Sequence, residues 1–131
     1  MIYEGDFWSG VNNPDLSLDE TDVGIIGIPY DTAASGRKGA KDAPDRIRTV
    51  SANYPSRVTE QQKDIGGLRL KDFGDVKISP LDPELTAKRI RNKVKKLVDN
   101  GVLTVCVGGD HSVTFPAIEA HSQVRDISIV W

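Results

Sequence analysis

A short segment, Gly108-Gly109-Asp110-His111-Ser112, combines residue types that suit ligand binding. Its two glycines permit backbone conformations and close approaches that other residues exclude, and the next two residues add a carboxylate and an imidazole. Histidine is a common ligand of borderline divalent metals, and its second ring nitrogen usually needs a carboxylate or carbonyl that fixes the tautomer. His111 is therefore the candidate metal ligand, and Asp110 is the candidate residue that orients it.

The same segment also fits an ordinary glycine turn. In that alternative Asp110 caps the following helix and His111 is merely exposed, and the spacing alone leaves both interpretations open. Nucleotide binding is set aside, because the segment matches neither the glycine spacing of the dinucleotide-binding fingerprint nor the lysine-bearing P-loop.

Two other residues with potential metal or redox chemistry have simpler interpretations. His121 is expected on the helix 113–120 or just past its end, where a histidine favours the negative end of the helix dipole. Cys106 lies within an apolar run, so we expect a small, buried core residue without a redox role. Because it is the only cysteine, an internal disulfide is excluded, and a reducing cytoplasm fits best.

Short apolar runs that alternate with helical patterns supply the framework for these residues. Residues 23–28 and 102–107 are typical of strands buried on both faces, and another strand is expected to begin near Ile127. Residues 68–73 alternate apolar and charged side chains, which indicates an edge or short strand. This order predicts a parallel α/β sheet, in which ligands bind beyond the carboxyl ends of the strands, where segment 108–112 lies.

The helices are marked by their ends. Asp82 and Pro83 form a strong helix start and Gly101 a stop, and between them one apolar stripe predicts a surface helix that covers the sheet. The stripe consists of Leu85, Ile90, Val94, Leu97 and Val98. Asp42 and Pro44 predict a shorter helix, and the polar residues 53–67 predict a surface excursion.

Composition limits the class of protein. The chain has 131 residues, 38% of them hydrophobic, which suits one globular domain. Its formal net charge of -2 gives no electrostatic reason to expect nucleic acid as a partner. The apolar runs are far shorter than the roughly 20 residues of a membrane-spanning helix, and no secretory signal is visible, so we expect a soluble cytoplasmic protein without a membrane partner.

Two motifs carry a resemblance to a known family. Residues 105–112, followed by Thr114-Phe115-Pro116, resemble the first metal motif of the ureohydrolases, the family of agmatinase and arginase. A second segment resembles that family's N-terminal strand and loop in the form typical of agmatinases. It comprises Gly27-Ile28-Pro29-Tyr30-Asp31 through Ser35, Arg37, Gly39-Ala40, Pro44 and Ile47-Arg48. Between them, Asp72-Phe73-Gly74-Asp75-Val76 resembles the family's short Asp-x-Gly-Asp element. The expected organisation is an N-terminal extension, 1–22, and the N-terminal portion of a single ureohydrolase domain, 23–131.

The resemblance implies a three-layer α/β/α fold with a mainly parallel sheet, incomplete in this chain. It implies manganese-dependent hydrolysis of a guanidinium C–N bond, with agmatine giving putrescine and urea, in a homo-oligomer, a trimer or hexamer. Of the ligands for two Mn²⁺ ions, only His111 is present here, because the family's other ligands belong to later motifs. The piece alone is therefore expected to be inactive.

Several points stay open. Another guanidino or formimino substrate fits equally well, and so does a truncated, non-catalytic binding or assembly module. The polar residues Asp31, Ser35 and Arg37 lie on a loop that lines the substrate entrance by resemblance, but loop polarity alone looks the same. No catalytic or substrate-binding residue is assigned from the sequence.

Overall fold

The computed structural model describes residues 3–58 and 63–130. A parallel sheet of three strands lies at its centre, in the order β4 (Leu70–Asp75), β1 (Val23–Ile28) and β5 (Leu103–Gly108). The alternation of apolar runs with helical patterns predicts this sheet correctly, and the edge strand expected at 68–73 is β4, displaced by two residues. A separate antiparallel pairing joins β2 (Arg57–Val58) to β3 (Lys63–Asp64) inside the predicted surface excursion.

The register brings the carboxyl ends of the three strands to one edge of the sheet. β1 pairs with β5 from Val23 opposite Leu103 to Ile28 opposite Gly108, and Gly27 lies opposite Asp75 of β4. The central strand is buried, with Ile26 and Ile28 at 0% exposure, as the continuous apolar run predicts. The loops that follow these strands therefore meet at the same edge.

The helix α3 (Pro83–Asp99) covers one face of the sheet. It begins at Asp82, whose side chain accepts a hydrogen bond from the amide of Leu85 at 2.9 Å, and it is followed by Gly101 at φ 75°. The left-handed conformation at Gly101 is the reason for a glycine there. Four members of the predicted stripe are buried against the sheet: Ile90, Val94, Leu97 and Val98.

The remaining helices are short. α4 (Thr114–Ser122) packs against α3, and α2 (Ala43–Ser51) contacts β1 and β5. Pro44 lies in the first turn of α2 as expected, but the side chain of Asp42 makes no capping hydrogen bond. The turn Ala40–Asp42 already winds the backbone into the helix, so the preceding chain replaces the expected cap.

The N-terminal segment packs on the sheet through a small apolar cluster. Val11 is buried with Ile25 and Leu70, and Trp8 contacts the same cluster. The turn α1 (Phe7–Gly10) is irregular, since Trp8 and Ser9 have positive φ angles. No helix in the described part of the chain is long and apolar enough to cross a membrane.

Two predictions for the last strands are wrong. β5 is not buried on both faces, because within the described residues it is an outer strand, and Leu103 and Val105 are 59% and 41% exposed. Residues 127–130 form no strand, and Val130 is 98% exposed. A strand needs a hydrogen-bonded neighbour, and the described residues place none beside this segment. The last residue of that predicted strand, Trp131, lies outside the described residues.

Candidate active site

The turn after β5 lies against the loop after β1. The amide of Asp110 donates a hydrogen bond to the carbonyl of Tyr30 at 2.7 Å. A Cβ atom at Gly109 would lie 1.9 Å from that same carbonyl oxygen, so only glycine permits this approach. The close contact brings the loop after β1 beside the candidate metal ligand.

The Asp110 carboxylate binds two backbone segments at once. Its Oδ1 accepts from the amide of Ser112 at 3.0 Å and from the hydroxyl of the same residue. Its Oδ2 accepts from the amide of Ala33, in the loop after β1, at 2.8 Å. The capping role that the sequence left open is thus present at the turn His111–Val113, and the bond to Ala33 is an addition that no local pattern indicates.

His111 is exposed at the carboxyl end of β5, as the strand-end rule predicts. Its Nδ1 lies 3.4 Å from the hydroxyl oxygen of Thr114. An accessible imidazole at this position is chemically suited to hold one divalent ion. Within residues 3–58 and 63–130, no group of three or more His, Cys, Asp or Glu side chains is placed to hold a metal.

His121 lies in the last turn of α4, as predicted, but its environment differs from the expected one. Its Nε2 is 2.7 Å from the hydroxyl oxygen of Thr104 on β5, and the side chain is partly buried. Burial, and then the nearby charge of Arg125, lower the pKa of His121. The imidazole therefore joins α4 to the sheet, in a partly buried environment that disfavours its charged form.

Cys106 lies on the same face of β5 as Thr104, two residues before it. It is exposed, so the prediction of a buried core residue is wrong. The reason is the position of β5 at the rim of the described sheet. Surrounding protein atoms still desolvate the thiol and raise its pKa to about 11. At neutral pH the group is therefore a protonated thiol.

The loop after β1 is closed by its own polar contacts. Asp31 is 7% exposed, and its carboxylate accepts from the amide of Gly39 at 2.8 Å, which lowers the pKa of this carboxyl group. The Lys38 ammonium donates to the carbonyls of Asp31 and Thr32 at 2.8 and 3.0 Å. Ser35 and Arg37 are exposed between these two contacts. The sequence did not indicate this closure, because loop polarity alone has many explanations.

A second cluster lies at the carboxyl end of β4. The guanidinium of Arg48, on α2, donates to Asp72 through Nε at 2.6 Å and through Nη2 at 3.0 Å, and to Asp75 through Nη1 at 2.7 Å. Burial opposes the charge of Arg48, but the hydrogen bonds to both carboxylates raise its pKa. The indole Nε1 of Trp8 also donates to Asp72, at 2.7 Å. Arg48 and the Asp-x-Gly-Asp element both belong to the resemblance, yet their pairing was not foreseen.

Comparison with known proteins decides the family. The family model described as the arginase family matches residues 21–131. The chain belongs to the arginase family. Mitochondrial agmatinase of Gallus gallus is 33% identical over 110 residues, and guanidinopropionase of Pseudomonas aeruginosa is 31% identical over 113. Both alignments cover 82% of this chain, but only 32% and 34% of the relatives, so the chain spans about a third of their length.

Solved structures agree with this assignment. The agmatine ureohydrolase of Thermoplasma volcanium matches with a TM-score of 0.77 and 28% identity, over 91% of this chain and 39% of that one. Formiminoglutamase of Trypanosoma cruzi, solved with Mn²⁺, matches with a TM-score of 0.75 and 25% identity, over 87% and 39%. The predicted α/β fold with a parallel sheet is thus confirmed as the arginase fold, of which this chain covers a part.

Proposed function

We propose that the whole protein hydrolyses the guanidinium C–N bond of agmatine, giving putrescine and urea. The observation that carries this proposal is the position of His111: an exposed imidazole in the turn after β5, at the edge where the loops of all three strands meet. Membership of the arginase family supports guanidino hydrolysis as the reaction class. Residues 23–131 then form the N-terminal portion of its single catalytic domain.

His111 would hold one of two Mn²⁺ ions, with the remaining ligands supplied from outside this chain. When bound, such metals provide the Lewis acid that activates water for hydrolysis at neutral pH. The imidazole fits this role because it is accessible, and because the Asp110 cap holds its turn in place. The role of Asp110 in orienting the ring is part of the same proposal.

A second candidate substrate class is the guanidino acids. Guanidinopropionase of Pseudomonas aeruginosa and mitochondrial guanidino acid hydrolase of Homo sapiens are 31% and 32% identical to this chain, close to the value for the agmatinase. Agmatine carries an amine where a guanidino acid carries a carboxylate, so the two classes differ in tail charge. Urea release from agmatine, 3-guanidinopropionate and 4-guanidinobutanoate by the whole protein would rank them.

Replacing His111 with alanine tests the metal assignment. We expect activity to fall by more than a hundredfold, with the fold retained, because loss of a ligand displaces one ion and several kcal/mol of transition-state stabilisation with it. Bound manganese, measured by elemental analysis, should fall together with urea release. The matched control is His121→Ala, which removes the other histidine that lines the same surface cavity and should keep near-parent turnover. Equal activity and manganese content in the His111 variant and the parent would refute the assignment.

We also propose that the whole protein assembles as a trimer or hexamer, as the resemblance to the ureohydrolases implies. Size-exclusion chromatography with light scattering would measure it. A monomer at micromolar concentration with full activity would contradict it.

A further inference from the structure

We propose that Asp110 is a positioning residue that ties the loop 30–39 to the His111 turn, so that this loop forms a fixed wall of the substrate site. This inference rests on the proposed function, because the wall matters only if the site at His111 takes a substrate. It assigns Asp110 a role toward the loop, beyond the orientation of its neighbouring histidine.

The tie consists of two hydrogen bonds that run in opposite directions. The backbone of Asp110 donates to the carbonyl of Tyr30 at 2.7 Å, and its side-chain Oδ2 accepts from the amide of Ala33 at 2.8 Å. The loop is thus held at two points three residues apart, which fixes its direction as well as its position. The absence of a Cβ atom at Gly109 permits the approach.

The loop beyond this tie behaves as one unit because its two ends are joined. The Asp31 carboxylate accepts from the amide of Gly39, and the Lys38 ammonium binds two carbonyls near the start of the loop. A movement at Ala33 is therefore passed to the exposed tip, where Ser35 and Arg37 present a hydroxyl and a guanidinium.

Asparagine cannot perform both tasks of Asp110. The carboxylate accepts from Ser112 with one oxygen and from Ala33 with the other, whereas an asparagine side chain has one acceptor oxygen and a nitrogen that only donates. Asp110→Asn preserves side-chain size but must break either the cap or the tie. Asp110→Ala breaks both. Asp42→Asn is the matched control, because Asp42 follows the same loop and its carboxylate makes no capping hydrogen bond.

Amide hydrogen exchange and steady-state kinetics on the whole, metal-loaded protein test the proposal. In Asp110→Ala we expect the amide of Ala33 to exchange about tenfold faster, because a hydrogen bond to a charged acceptor is lost. Asp110→Ala also loses the cap of the His111 turn, so manganese content is measured alongside. At equal manganese content we expect KM for the guanidino substrate to rise several-fold more than kcat falls. In Asp110→Asn, faster exchange at Ala33 means that the tie is broken, and faster exchange at Ser112 means that the cap is broken. KM should rise only in the first case. Asp42→Asn should match the parent in all these measurements.

Parent-like exchange at Ala33 in Asp110→Ala would overturn the tie. Faster exchange at Ala33 with an unchanged KM would overturn the positioning role. Failure of the proposed function is distinguishable from both: the parent would then release no urea from any guanidino compound, while faster exchange at Ala33 in Asp110→Ala would still support the tie.

Discussion

Replacing Arg48 with methionine would remove the cation that Asp72 and Asp75 share. The Arg48 and Asp72 side chains are only 9% and 5% exposed, so they form a buried pair, whereas Asp75 is 40% exposed and can be hydrated. Methionine retains an unbranched apolar chain of similar length. The substitution therefore tests the charge of Arg48 with little change in packing.

The expected loss follows from the burial of Asp72. Without Arg48 its carboxylate keeps the indole of Trp8 and the amide of Gly74 as donors but loses its directly hydrogen-bonded cation. The Lys93 ammonium, which donates to the carbonyls of Gly74 and Asp75, remains as a nearby positive charge. Removing one partner of a buried ion pair typically costs about 3–5 kcal/mol, because the other charge stays desolvated. We expect the free energy of unfolding of the chain to fall by that amount at pH 7, measured by urea denaturation with circular dichroism.

The chain offers a control with the same chemistry on its surface. Arg69 also donates two hydrogen bonds to one carboxylate, that of Asp22, at 2.9 and 2.6 Å, but the two side chains are 58% and 50% exposed. Exposed pairs contribute about 0–1 kcal/mol. Arg69→Met should therefore lie near the parent. A loss in Arg48→Met no greater than in Arg69→Met would refute the reasoning from burial.

The pH dependence of the Arg48 effect has a definite sign. Burial alone would raise the pKa of Asp72, but the hydrogen bonds from Arg48 and then Trp8 outweigh it and lower the pKa below its usual value. The stabilisation from this pair is therefore present above the unfolded pKa of about 3.9 and is lost as the pH falls through the lower, folded pKa. The difference in unfolding free energy between parent and Arg48→Met should narrow below about pH 4. A difference that stays constant from pH 7 to pH 3 would contradict the assignment to Asp72.

Two further predictions concern the histidines. His121→Ala should reduce stability by about 1 kcal/mol, since it removes the hydrogen bond to Thr104, and thermal or urea unfolding would measure this. A loss near zero would show that the contact with β5 contributes nothing. The chain of 131 residues alone should bind Mn²⁺ weakly, because His111 cannot replace a full set of ligands, and calorimetric titration would test this. A tight, stoichiometric site would show that its ligands are distributed differently.

Elements whose signals are local could be predicted from the sequence. The helix α3 is an example, because its cap at Asp82, its apolar stripe and its stop at Gly101 all lie within the helix or next to it. The central strand β1 could also be predicted, since a strand buried on both faces must be apolar at every position. In these cases the residue pattern and the structure have the same physical cause.

Burial of β5 could not be predicted in the same way. Its apolar run is as continuous as that of β1, but the exposure of Leu103 and Val105 depends on what lies beside the strand, and this is information about other parts of the fold. The same holds for residues 127–130, which are apolar enough for a strand but have no neighbour within the described residues. An apolar pattern shows that a segment can be buried, but whether it is buried depends on the elements that pack beside it.

The candidate site shows the same limit at the level of single side chains. The position of His111 follows from a general rule on strand ends, so the sequence was sufficient. The contacts of Asp110 were not predictable, because the amide of Ala33 lies 77 residues away along the chain and an amide carries no residue-specific signal. A carboxylate beside a histidine suggests an orienting partner for the ring, but backbone amides compete for the same oxygens, and here each oxygen accepts from one. The effect of Asp110 on the site therefore reaches the loop after β1 directly, and this is why its substitution should be read out at Ala33 as well as at the metal.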